Sequence, residues 1–86
     1  MRDIRPGHPY PLRMRQYLSA KFGERLRQAR DAAGLGQEEL ARRLGVQRQA
    51  ISTWENGKRH PPMTDVEDIA KAIGVDPRWL AYGDKP

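Results

Sequence analysis

The chain contains no cysteine in its 86 residues. Neither a disulfide framework nor a cysteine-ligated metal can hold it, so helix packing must. It has only two histidines, His8 and His60, far apart and without partner ligands at a useful spacing. They read as surface residues, and neither a metal nor any other cofactor is expected. No apolar run approaches the ~18 residues of a membrane span, and no signal-peptide core is present. The expectation is a soluble, cytoplasmic protein with no membrane partner. There is no nucleophile–base constellation and no glycine-rich phosphate loop, so the chain does not read as an enzyme. Internal repeats, low-complexity segments and strand patterns are also missing, which leaves one small all-α domain.

Acidic residues are scarce where basic ones are plentiful. Residues 1–60 hold 13 Lys/Arg against 6 Asp/Glu, whereas residues 61–86 hold 3 against 5. This asymmetry suggests one basic face for a polyanion and a separate end for something else.

What the chain does have is centred on Gln37–Asn56. Leu40, Ala41 and Leu44 share one helical face, and Ala50, Ile51 and Trp54 share another, with Gly45 between the two patterns. Spacings of three and four mark short amphipathic helices, and a residue without Cβ suits the sharp turn that joins them. The pair is a helix-turn-helix. Trp54 reads as core. The polar face of the second helix offers Gln47, Arg48, Gln49, Ser52 and Thr53. Arg48 can bridge guanine O6 and N7, and Gln47 or Gln49 can bridge adenine N6 and N7. Ser52 and Thr53 lie one turn further along, within reach of a base or a thymine methyl. The same five residues would also suit a merely solvated surface helix. The paired helix, the glycine turn and the charge asymmetry favour a helix that reads double-stranded DNA in the major groove. Gln37, Asn56, Lys58 and Arg59 flank that helix and are the candidate phosphate contacts. Gln37 opens a helix whose free N–H groups favour an anion, and the others lie where the chain would cross the backbone.

The flanking elements can be read in the same way. Residues 1–18 form an extended arm with Arg2, Arg5, Pro6, Gly7, Pro9 and Pro11, and its last turns are open to helix. The domain proper spans 19–83, and 84–86 are a short tail. Met14, Leu18, Phe22, Leu26, Ala29 and Ala33 make one stripe of a first helix ending at Gly34. Ser19 is a candidate N-cap, although the stripe also runs upstream of it. Thr64 and Glu67 carry the signature of a capping box for a fourth helix ending at Gly74. Asp76-Pro77 opens a fifth helix with Trp79, Leu80 and Tyr82. Trp79 reads as core, and Leu80 and Tyr82 as candidates for a dimer interface.

Residues 21–83 closely resemble the helix-turn-helix domain of the phage lambda repressor and Cro family, also called the xenobiotic-response-element family. The resemblance rests on Phe22-Gly23-Glu24-Arg25-Leu26 with Arg30, Gln37-Glu38-Glu39-Leu40-Ala41 and Leu44-Gly45-Val46. It continues through Ile51 to Arg59, Pro61, Ile69 to Val75 and Trp79-Leu80. It implies a compact five-helix domain that binds operator DNA, usually as a homodimer on a palindromic site. By position it assigns Gln37 and Asn56 to phosphates, and Gln47, Arg48, Gln49, Ser52 and Thr53 to bases. It also implies a structural salt bridge between Arg30 and Glu55. Gly36 departs from the family, standing where Ser, Thr or Asn often caps the second helix, and so does the proline-rich arm. The leading expectation is a transcriptional regulator of phage or prophage repressor type. The alternatives are an antitoxin-type autoregulator that also binds a toxin protein, and a protein-interaction module on the same fold.

Overall fold

The computed structural model describes residues 10–84. Five helices follow in order: α1 Leu12–Ala32, α2 Gln37–Leu44, α3 Arg48–Glu55, α4 Met63–Ile73 and α5 Pro77–Tyr82, with no strand among the described residues. Residues 1–9 of the expected arm lie outside the described residues.

α1 begins at Leu12, with Pro11 in the cap position at φ −65° and ψ 163°. Ser19 therefore sits inside the helix and caps nothing. Pro11 already has the φ of a helix start, and no proline follows it to stop propagation upstream of Ser19. The stripe starting at Met14 marks the helical register, but it is covered only from Phe22 to Ala29, and Ala33, just past the helix end, is exposed. Phe22, Leu26 and Ala29 are buried, whereas Met14 and Leu18 stay exposed. α1 ends with Gly34 N–H donating to Asp31 O at 3.0 Å and Leu35 N–H to Arg30 O at 3.1 Å, which folds Leu35 back against the core.

Gly45 turns α2 into α3 at φ +71°, a backbone region that costs most side chains energy and glycine little. Leu40 and Ala41 from α2 meet Ile51 and Trp54 from α3 in one buried cluster. α1 packs close to the end of α3 because Gly23 has no side chain. A Cβ there would lie 2.6 Å from Trp54 O and 2.4 Å from Glu55 O.

α4 completes the core with Val66, Ile69, Ala70 and Ile73. Its cap differs from the capping-box expectation. Pro62 occupies the cap position, the helix starts at Met63, and no side chain caps it. Thr64 thus falls within the first turn, where the N–H groups of Asp65 and Val66 donate to Pro62 O at 2.9 and 3.0 Å. α5 starts as its sequence suggests. Asp76 Oδ1 accepts from the N–H groups of Arg78 at 2.8 Å and Trp79 at 3.1 Å, and Pro77 takes the first helical position.

Leu80 must be removed from the candidate dimer interface. It is fully buried and closes the core against α1, so it has no surface to offer a second copy. Arg25 fixes this end of the domain, donating from Nε to Leu80 O at 2.9 Å and from Nη2 to Ala81 O at 3.0 Å. Tyr82, close behind these carbonyls in the chain, remains exposed, with its hydroxyl 4.0 Å from Met63 Sδ.

Candidate nucleic-acid interface

α3 divides its eight residues between two environments. Ile51, Trp54 and Glu55 are buried. Arg48 and Gln49, with Gln47 at the cap, are exposed, and Ser52 and Thr53 are half-buried on the same outer side. The helix has no side-chain cap, so Gln47 keeps its amide for the surface. All five candidate base-reading residues thus lie on the outer side of one short helix. Ala50 and Thr53 border a shallow groove closed on its far side by Arg59, Pro61 and Pro62. That groove brings a backbone-contact candidate, Arg59, beside a base-reading one. Asn56, Lys58 and Arg59 are exposed in the turn that follows α3, and the Asn56 amide leans on Ser52 Oγ at 3.4 Å.

Behind the outer face lies a polar network held in the core. Arg30 donates to Glu55 twice, from Nε to Oε2 at 2.6 Å and from Nη2 to Oε1 at 3.1 Å. Its remaining Nη1 donates to Leu35 O at 2.7 Å, just past the end of α1. The Glu55 side chain is 1% exposed and that of Arg30 11%, which makes this a paired charge set away from water. Arg27 Nε stands 3.6 Å from Glu55 Oε1 and adds a second positive charge. Burial pushes the Glu55 carboxyl up. The hydrogen bonds from Arg30 and Gln37 and the charges of Arg30 and Arg27 outweigh it, leaving the group below its ordinary range. Arg30 is raised in turn, chiefly by its hydrogen bond to Glu55. The carboxylate is therefore a structural anchor, turned inward and away from any ligand on the outer face.

Gln37 has a role that pattern and spacing do not reveal. Its Nε2 donates to Glu55 Oε1 at 3.0 Å, while its Oε1 accepts from Arg48 Nη1 at 3.1 Å. The side chain expected at a phosphate instead bridges the buried carboxylate and the exposed arginine at the head of α3. No side chain caps the first turn of α2, which Gln37 opens. The link joins residues 18 and 11 positions apart, so no local pattern could announce it. Gly23 and Arg25 likewise have no place in the apolar periodicity. Their only signal is membership of the Phe22–Leu26 motif.

Among the described residues, no group of His, Cys, Asp and Glu could hold a metal ion, and no helix is long and apolar enough to cross a membrane.

A protein-family model described as a helix-turn-helix domain matches residues 21–81. The chain belongs to that family. The HTH-type transcriptional activator BcrR of Enterococcus faecalis is 42% identical over 65 residues, which are 76% of this chain and 32% of BcrR. The helix-turn-helix chain thus spans about a third of that relative's length. Among solved structures, the restriction-modification controller protein C.AhdI from Aeromonas hydrophila matches with a TM-score of 0.72 and 37% identity, over 76% of this chain and 94% of that one. The P22 c2 repressor, solved in complex with a synthetic operator, matches with a TM-score of 0.69 and 33% identity, over 73% and 96%. The fold is the all-α, five-helix architecture of these lambda-repressor-like domains.

Proposed function

We propose that this helix-turn-helix protein is a transcriptional regulator that binds double-stranded DNA sequence-specifically, with α3 in the major groove. The observation that carries the reading is the division of α3: one face is anchored in the core, and the other presents Gln47, Arg48, Gln49, Ser52 and Thr53. Arg48 bridges a guanine, the glutamine amides pair with adenine, and Thr53 offers its methyl to a thymine. The first turn of α2 at Gln37, together with Asn56, Lys58 and Arg59, holds phosphates on either side and sets the register.

The proposal includes a homodimer on a palindromic operator, as in repressors of phage or prophage type. Two copies would place their α3 helices about 34 Å apart, one turn of DNA. Tyr82, exposed at the end of α5, is the residue proposed for the contact between copies. A restriction-modification controller is the second reading, favoured by the 37% identity to C.AhdI against 33% to the P22 c2 repressor.

Selection of bound sites from a random duplex library tests the reading. A recovered consensus with two-fold symmetry is the expected result. Recovery of no consensus at moderate salt would leave a protein-interaction module standing in its place.

A further inference from the structure

The described part of the chain begins before the matched family span. Residues 12–20 add more than two turns of helix upstream of residue 21, where the family match starts. From 12 to 21 the helix carries Arg13, Arg15 and Lys21 and no acidic residue. The direction in which it presents them can be read from one contact. Gly57, at φ +73° in the turn after α3, packs directly on Ala20, and a Cβ there would lie 2.9 Å from Ala20 Cα and 3.2 Å from Ala20 N. One stripe of α1 contains Arg13, Gln16, Tyr17, Ala20, Glu24 and Arg27, because positions three, four and seven apart share a helical face. Arg27, further down that stripe, stands 3.6 Å from Glu55 Oε1. The C-terminal end of α3 and the turn carrying Lys58 therefore both lie along the stripe that Gln16 and Arg13 continue.

We infer that the first two turns of α1 extend the DNA interface. Arg13 and Gln16 form a track for the sugar-phosphate backbone that continues the one begun by Asn56 and Lys58. The inference rests on the DNA-binding reading and adds contacts outside the family-matched span. Both residues are exposed. At 1.5 Å per residue, Arg13 lies about 10 Å along the axis from Ala20, roughly three phosphates of one strand at 3.4 Å of rise each. The exposed apolar side chains Met14 and Leu18 fall on other sides of the helix, whereas Tyr17, four residues from Arg13, lies at the border of the stripe. Duplex DNA suits the first turns of α1 by charge, since the acidic Glu24 comes only further down the stripe, and these turns adjoin the face proposed for DNA.

The test is the salt dependence of binding to a labelled duplex of mixed sequence, measured with the full chain. Arg13→Ala is expected to lower the slope of log K against log salt by about 0.9, the change that follows when one phosphate is no longer neutralised. Gln16→Arg is expected to raise it by a similar amount. Arg78→Ala, on α5, is the control for net charge and should leave the slope unchanged. Circular dichroism melts check that α1 still forms in each variant. If the wild type binds while Arg13→Ala and Gln16→Arg leave the slope as it was, the α1 track is overturned and the α3 reading stands. An Arg78→Ala effect equal to that of Arg13→Ala would reduce the change to net charge and overturn the track as well. Failure of the wild type to bind duplex DNA at low salt would remove the DNA-binding reading itself.

Discussion

The inner and outer faces of α3 are drawn from the same short segment, yet different physics governs each. On the inner face, Ile51 and Trp54 share one buried cluster with residues of α1, α2 and α4, and Glu55 is held by three side chains from α1 and α2. On the outer face, Arg48 donates to Gln37 and is otherwise turned to water. The inner arginine partner, Arg30, is committed to its carboxylate and to a backbone carbonyl, whereas the outer arginine retains donors for a ligand. A buried charge is stabilising only while it is paired, and an exposed donor is useful for recognition only while it is not fully engaged. Gln37 joins the two faces, so the position of Arg48 is referenced to the core and does not depend on the surface alone.

This contrast can be broken most severely at Glu55. Glu55→Ala leaves the mostly buried Arg30 without its partner and is expected to cost about 3–5 kcal/mol, read from the midpoint of chemical unfolding. A cost below about 1 kcal/mol would mean that the pair is solvated. Acid separates the faces next. The folded Glu55 carboxyl lies below its unfolded value, so its contribution is complete above the ordinary Glu range of about 4.3 and is lost as pH falls through the folded value. Glu55→Gln should remove that part of the acid dependence of stability. If the variant's unfolding profile below about pH 5 matched that of the wild type, Glu55 would not be the group that titrates. The smallest expected effect is at Gly36. It caps α2 without a side-chain hydrogen bond, has φ −76°, and has open space around the position of a Cβ. Gly36→Ser should stabilise the domain by a few tenths of a kcal/mol. A destabilisation there would show that the first turn of α2 does not accept a side-chain cap.

Much of this architecture is legible in the residues because punctuation and periodicity agree. Gly34, Gly45, Gly57, Gly74 and Gly83 all lie at positive φ, just past helix ends, and Asp76-Pro77 starts a helix as its chemistry dictates. The points that are not legible each have a physical reason. Pro62 takes the cap position ahead of Thr64 with only its carbonyl accepting from the first turn, so the side-chain signature at Thr64 and Glu67 marks the helix but not its start. Leu80 and Tyr82 sit on a six-residue helix, too short for periodicity to say which side chain turns inward. The start of α1 is ambiguous in sequence because its first turns lack the buried stripe that marks Phe22 to Ala29. The outer face of α3 is readable as a set of residues. The Gln37 bridge to Arg48 is not, because it depends on where α2 comes to rest beside α3.

The central claim is that the outer face of α3 reads sequence while the flanking cations hold backbone. Its most direct test is a titration of wild type, Arg48→Ala and Lys58→Ala against a selected site and against a scrambled duplex at one fixed salt concentration. Arg48→Ala should lose about 1–3 kcal/mol on the selected site and little on the scrambled one, whereas Lys58→Ala should weaken both alike. Equal losses from Arg48→Ala on the two duplexes would make Arg48 a phosphate contact and contradict the division of α3 proposed for this protein.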